Sequence, residues 1–135
     1  MSNSEEQKTI LSKISDRLEV GGQFFMCESS ITGLDKINAT RVRLGLKKIS
    51  PPWHNLYIDE RIINENAFCE TGLELQERHD FSSTYYFLSR IVNAKIASLN
   101  GEEPNYNSLI NRIGLVVESF GSYGQSILWI WRKVF

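Results

Sequence analysis

The stretch LSKISDRLEVGGQFFMCES, Leu11–Ser29, decides the fold class, because its periodicity changes halfway along. Upstream of the glycines, Ile10, Leu11, Ile14 and Leu18 recur at helical spacing, and Ser4 with Gln7 three residues later has the pattern of a capping box. Gly21-Gly22 ends that helix. QFFMC then follows as a short apolar run, of the kind found in a strand buried on both faces. A helix, a glycine turn and a buried strand in that order predict an α/β protein with strands running parallel.

Composition narrows the function classes. At 135 residues the chain is expected to form a single domain, 1–135, with a real core. A formal charge of −1 with 23% charged residues supplies no basic field for nucleic acid or an anionic membrane. The apolar share of 41%, with 11% aromatics, is that of a folded protein rather than a disordered one. MSNSEEQK is too polar for a secretory signal, and no apolar run approaches the roughly 18 residues that span a bilayer. Two cysteines, Cys27 and Cys69, make no disulfide framework, so a cytoplasmic location is the simplest expectation.

Further along, GLDKINATRVRLGL (33–46) reads as a second helix with a glycine stop at Gly45. Pro51-Pro52 forbids more helix and leads extended into WHNLYID. Asp59 is placed to cap a short helical turn, and GLELQER alternates as an edge strand would. STYYFLSRIVNAKIASLNG is the clearest helix, with Tyr85, Leu88, Val92 and Ile96 on one face and a stop at Asn100-Gly101. The closing QSILWIWRKVF is β-branched and aromatic, and places Trp129 and Trp131 on one packed face.

Taken in order, these segments resemble the late part of class I S-adenosylmethionine-dependent methyltransferases. In that family a helix and a Leu-x-Pro-Gly-Gly turn lead into the fifth strand of a seven-stranded sheet. Here the turn is Leu18-Glu19-Val20-Gly21-Gly22, with Val20 in the proline's place. A subgroup pattern N-x-x-R-x-x-x-G-L…W-H-N-x-Y is matched by Asn38, Arg41, Gly45, Leu46, Trp53, His54, Asn55 and Tyr57. The YYFLSRIVNA helix and the closing GSYGQSILWIWRK continue the likeness almost to the end. The resemblance implies a partial Rossmann-like sheet of about three to four strands, the last antiparallel, flanked by helices, with a helical insertion at about 82–112. It also implies S-adenosylmethionine as methyl donor. The family's glycine-rich turn after the first strand, where backbone must approach the donor, has no counterpart here. Donor binding is therefore expected to need an N-terminal half supplied from elsewhere.

Candidate acceptor contacts follow from the same alignment. Trp53, Asn55 and Tyr57 would meet a small-molecule or sugar-type acceptor, with His54 as general base for an alcohol. Equally, Trp53 and Tyr57 could plug the core while His54 and Asn55 cap turn backbone. Glu28 sits where the strand emerges, facing either a cleft or solvent. Tyr86 and Arg90 share a helix face and could receive an anionic or sugar-like group; alternatively Tyr85 is core and Arg90 a surface ion-pair partner. His79-Asp80 lacks the spacing of a metal site. An unpaired apolar strand edge predicts either that N-terminal partner or pairing between copies of the chain. The other class of function is a non-catalytic interaction module that keeps a partial transferase fold.

Overall fold

A computed structural model of the chain describes residues 4–52, 57–61, 63 and 71–135. It is a mixed α/β protein whose four-stranded sheet has the order β2-β1-β4-β3. The chain divides into two compact units, Met1–Ile31 with Pro51–His79 and Ile127–Phe135, and Thr32–Ser50 with Asp80–Ser126.

In the first unit, α1 (Ser4–Asp16) precedes β1 (Gln23–Ser30), and the turn between them uses Gly21 at φ +89°. β2 (Tyr57–Ile58) runs parallel to β1, pairing Tyr57 with Ser29 and Ile58 with Ser30. β3 (Leu73–His79) is antiparallel to β4 (Ser126–Lys133). Gly21 N–H donates to Lys133 O at 2.8 Å and Lys133 N–H to Gly22 O at 2.9 Å, so the start of β1 meets the end of β4. β1, β2 and β3 therefore run one way, and the closing strand runs against them, as the sequence predicts.

β4 supplies the core of this unit. Its alternation buries Ile127, Trp129 and Trp131, which cluster with Leu11, Met26, Ile58, Ile63 and Leu73. Each fully buried aromatic of this kind contributes roughly 3 kcal/mol relative to exposure. The expectation that β1 is buried on both faces is corrected. Met26 and Ser30 are buried, but Phe25 is 59% exposed and Cys27 is exposed as well. The strand has one covered face, and a run of consecutive apolar residues could not reveal which side lacked a cover. β3 is an edge strand, as its alternation suggests, and it exposes Glu74, Gln76 and Glu77. Charges along an edge discourage further pairing.

Gln7 departs from the capping box. It is buried, donates to Tyr57 O at 3.2 Å and accepts from Asp59 N–H at 3.2 Å, fastening α1 to the chain around β2. Asp59 does cap the following turn, accepting from Arg61 N–H at 3.1 Å. Arg61's hydrogen bonds hold the Asp59 carboxyl below its ordinary range.

In the second unit, α2 (Ile31–Arg43) ends in a Schellman motif. Leu46 N–H reaches back to Arg41 O at 2.9 Å and Gly45 N–H to Val42 O at 3.0 Å, with Gly45 at φ +75°. The long helix predicted over 83–99 is continuous but not uniform. It consists of α3 (Ser83–Phe87), a π-helical segment Leu88–Asn93 and α4 (Ala94–Leu99). Its buried residues are Ser83, Ser89, Ile91, Asn93, Ala94 and Ala97, whereas Ile96 is exposed and Tyr85 only half-buried. The face drawn through Tyr85, Leu88, Val92 and Ile96 is thus corrected: i→i+5 pairing rotates every residue beyond it. α5 (Leu109–Gly114), capped by Ser108, overlaps the end of the helical insertion expected at about 82–112.

Candidate functional site

Of the residues singled out in sequence, Trp53, His54 and Asn55 lie outside the described residues. Tyr57 is buried in β2, and its carbonyl accepts from Gln7. Glu28 is exposed two residues before β1 ends. Those two belong to the first unit; Tyr86 and Arg90 belong to the second, where a cleft is present.

That cleft has a volume of about 630 Å³, and its lining includes Arg41, Lys47, Ser89, Arg90, Glu102 and Tyr106. It exists because the exit of α2 is stapled down. Asn38 grips Ile49 at both backbone groups, donating to its carbonyl at 2.9 Å and accepting from its N–H at 2.8 Å. Arg41 Nε donates to Lys47 O at 2.8 Å, and Arg41 Nη1 donates to Arg90 O inside the π-helical segment. Lys95 Nζ satisfies Leu44 O at 2.8 Å. The N-x-x-R-x-x-x-G-L spacing thus has a mechanical reading: one helical turn separates two side chains that hold the same returning loop, and Gly45 makes the reversal. Asn38→Ala is expected to cost about 1–2 kcal/mol and to speed exchange of the Ile49 amide about tenfold, measured by hydrogen exchange with mass or NMR detection.

Arg90 lines the cleft and forms no ion pair among the described residues. Its Cζ lies 4.9 Å from the Tyr106 ring centroid, 5.3 Å from Tyr86 and 5.9 Å from Tyr85. Its Nη1 donates to Ser89 Oγ at 3.0 Å. Tyr106 is in turn placed by Asn111 Nδ2, which donates to Tyr106 O at 3.1 Å, while Asn93 Nδ2 holds Asn105 O at 3.2 Å. Ring faces orient a guanidinium and leave its charge intact. Burial pulls the Arg41 pKa below its ordinary value, Tyr106 opposes that, and the nearby Arg90 charge adds to it. Tyr86 shares Arg90's ring cluster, but its hydroxyl turns to Ser126 Oγ at 3.3 Å. Tyr86 and Arg90 meet as ring and guanidinium, but Tyr86 is not among the residues lining the cleft, whereas Arg41 and Tyr106, from distant segments, are.

A second polar centre lies in the first unit. Glu60 accepts from Ser30 Oγ at 2.7 Å, from Arg78 Nε at 2.7 Å and from Arg78 Nη2 at 2.9 Å. Burial pushes the Glu60 carboxyl up, but the Arg78 and Ser30 hydrogen bonds and the Arg78 charge outweigh it, so its pKa lies below the ordinary value. Trp129 contributes least, and its indole N–H makes no hydrogen bond of ordinary geometry. Among the described residues the carboxylate is held by the Arg78 fork and the Ser30 hydroxyl. The group clamps the carboxyl ends of β1 and β2 to β3. No sequence signal pairs residues eighteen apart across a sheet.

The methyl donor implied by the resemblance needs backbone stripped of side chains next to a strand end. Among the described residues three strands lead into helices, β2 doing so through Asp59 with no glycine. The passage from β3 to α3, His79–Ser83, has no glycine. The passage from β1 to α2 has Gly33, but a Cβ there would collide with the carbonyl oxygen of Gly124. Protein fills that space, so the described residues do not fit the donor's nucleoside.

No protein-family model, no curated protein and no solved structure matches this chain.

Proposed function

We propose that the chain is the acceptor-side, C-terminal portion of a class I S-adenosylmethionine-dependent methyltransferase, taking a small-molecule or sugar-type acceptor in the Arg90 cleft. The observation carrying this reading is the sheet order. An antiparallel closing strand lies between β1 and β3, which run the same way, and β1 follows a helix and a Gly-Gly turn. Methyl transfer is chiefly a matter of holding donor and acceptor in line. A stapled loop and a ring-held guanidinium suit the acceptor half of that task. The donor half belongs to residues other than those described.

A second reading, a non-catalytic interaction module, is favoured by the exposed apolar strip of Leu115, Val116, Val117 and Phe120 in the second unit. Two measurements separate the readings. The DNA immediately upstream is expected to encode a strand, a glycine-rich turn and a helix. Calorimetric titration of the chain with S-adenosylmethionine is expected to give no binding heat, and addition of the upstream polypeptide to restore it. Upstream DNA without such a segment, combined with no donor binding, favours the interaction module. Tight donor binding by the chain alone would overturn the assignment of the donor to other residues.

A further inference from the structure

We propose that the cleft of the second unit is a subsite for an oxyanion, a carboxylate or a phosphate ester, carried on a hydroxyl-rich ligand and gripped by Arg90 with Arg41 and Lys47. This names the ligand class of the cleft used in the transferase reading, but it stands on the cleft's own geometry.

Cationic side chains normally meet a carboxylate or lie out in water. Arg41 and Arg90 do neither: they line one cleft, both half-buried, and neither forms an ion pair among the described residues. Arg41 spends Nε and Nη1 on backbone carbonyls, which fixes its plane and leaves Nη2 unassigned. Arg90 spends one hydrogen bond on Ser89, and its remaining N–H groups have no acceptor among the described residues. The three tyrosine rings hold it in place without neutralising it. Two guanidinium groups this close repel one another, and the lowered Arg41 pKa reflects that in part. An oxyanion relieves the repulsion and accepts the free N–H groups as a fork, which is what planar guanidinium offers.

Two carboxylates in the same lining restrict what carries the anion. Glu102 and Glu103 are exposed there and pair with no cation among the described residues. Carboxylates accept from hydroxyl groups and repel a second negative charge. A ligand with one anionic end and a body of hydroxyls satisfies the guanidinium groups and the carboxylates alike, and about 630 Å³ is ample for a molecule of that size. A compact polyanion satisfies only the guanidinium groups.

The test is calorimetric titration of the full chain with glucuronate, glucose 6-phosphate and glucose. Either or both anions are expected to bind, identifying carboxylate or phosphate as the preferred group, and glucose to bind at least about tenfold more weakly. Arg90→Gln is expected to weaken anion binding about tenfold or more, while Arg90→Lys, which keeps the charge and loses the fork, falls between. Added salt is expected to weaken the anions and not glucose. If Arg90→Gln fails to fold, amide chemical shifts of the unaltered chain decide: the anion is expected to move Ser89, Arg90 and Tyr106. Binding of neither anion, equal binding of glucose, an unaffected Arg90→Gln variant or shifts confined to other residues would each overturn the proposal. Because no methyl donor is used, anion binding survives if the transferase reading fails. Donor binding in the presence of the upstream polypeptide likewise survives if anion binding fails.

Discussion

Glu60→Ala is expected to destabilise the chain by roughly 3 kcal/mol at neutral pH, read as a shift in urea midpoint at constant slope. The carboxylate is 7% exposed and is the shared acceptor of Ser30 and both prongs of Arg78. Removing it takes a bidentate carboxylate from the Arg78 guanidinium, whose side chain is only about a third exposed, and an acceptor from a buried hydroxyl at the end of β1. Restoring water to Arg78 recovers some of the loss, which holds the expected figure to the lower part of the range for broken buried pairs. The pH dependence gives a second reading. The folded-state pKa of Glu60 lies below its ordinary value. Its contribution is therefore complete above the ordinary carboxyl range and is lost as pH falls through that range and below it. Glu60→Gln keeps the shape and removes that titration, so the acid limb of the stability curve is expected to flatten. An acid limb unchanged by the substitution would place the titration elsewhere.

How much of this was legible in the sequence depended on the range of the interaction concerned. The first helix, the glycine turn, the strand after it, the Gly45 stop and the Trp129–Trp131 face are each specified within about ten residues, and all are present. Burial of β1 on both faces was misjudged, because a strand's own residues do not say whether its second face finds a cover. The helical face through Tyr85 and Ile96 was misjudged for a different reason. Arg41, forty-nine residues away, donates to a carbonyl within the π-helical segment, and nothing local to that helix announces it. Helical spacing alone is enough to bring the Tyr86 ring to Arg90, but not to say that Arg90 lines a cleft and Tyr86 does not. Arg41 belongs to the N-x-x-R pattern, but its task of tying the α2 exit loop depends on Lys47 and on the Asn38–Ile49 grip, which exist only in the fold. Tyr106 lies in the stretch NGEEPNYN, 100–107, where no periodicity ties it to Arg90.

Gly33→Ala is the substitution for which local and tertiary physics predict opposite signs. Inside a helix, alanine for glycine ordinarily stabilises by roughly 0.5–1 kcal/mol. Gly33 lies in the first turn of α2 and is buried, and a Cβ there would overlap the carbonyl oxygen of Gly124. That carbonyl cannot simply retreat. Gly124 N–H donates to Asp80 Oδ2 at 3.1 Å, and the loop around it is held by Ser83, which accepts from Tyr123 N–H at 2.8 Å and donates to Phe120 O at 2.6 Å. Thr84 adds a further pair, donating to Glu118 O at 2.6 Å and accepting from Phe120 N–H at 2.7 Å. The added methyl must therefore displace either α2 or a loop fixed at several points, an overpacking cost of roughly 3 kcal/mol that exceeds the helical gain. The net expectation is destabilisation by about 2 kcal/mol, measured by urea unfolding. Gly101→Ala is the matched control: a Cβ there meets open space, and only its φ of +68° opposes the change. It is expected to cost about 1 kcal/mol through backbone strain alone. A Gly33→Ala variant as stable as the parent or more so would mean that α2 and the 118–124 loop are not held in the close approach described.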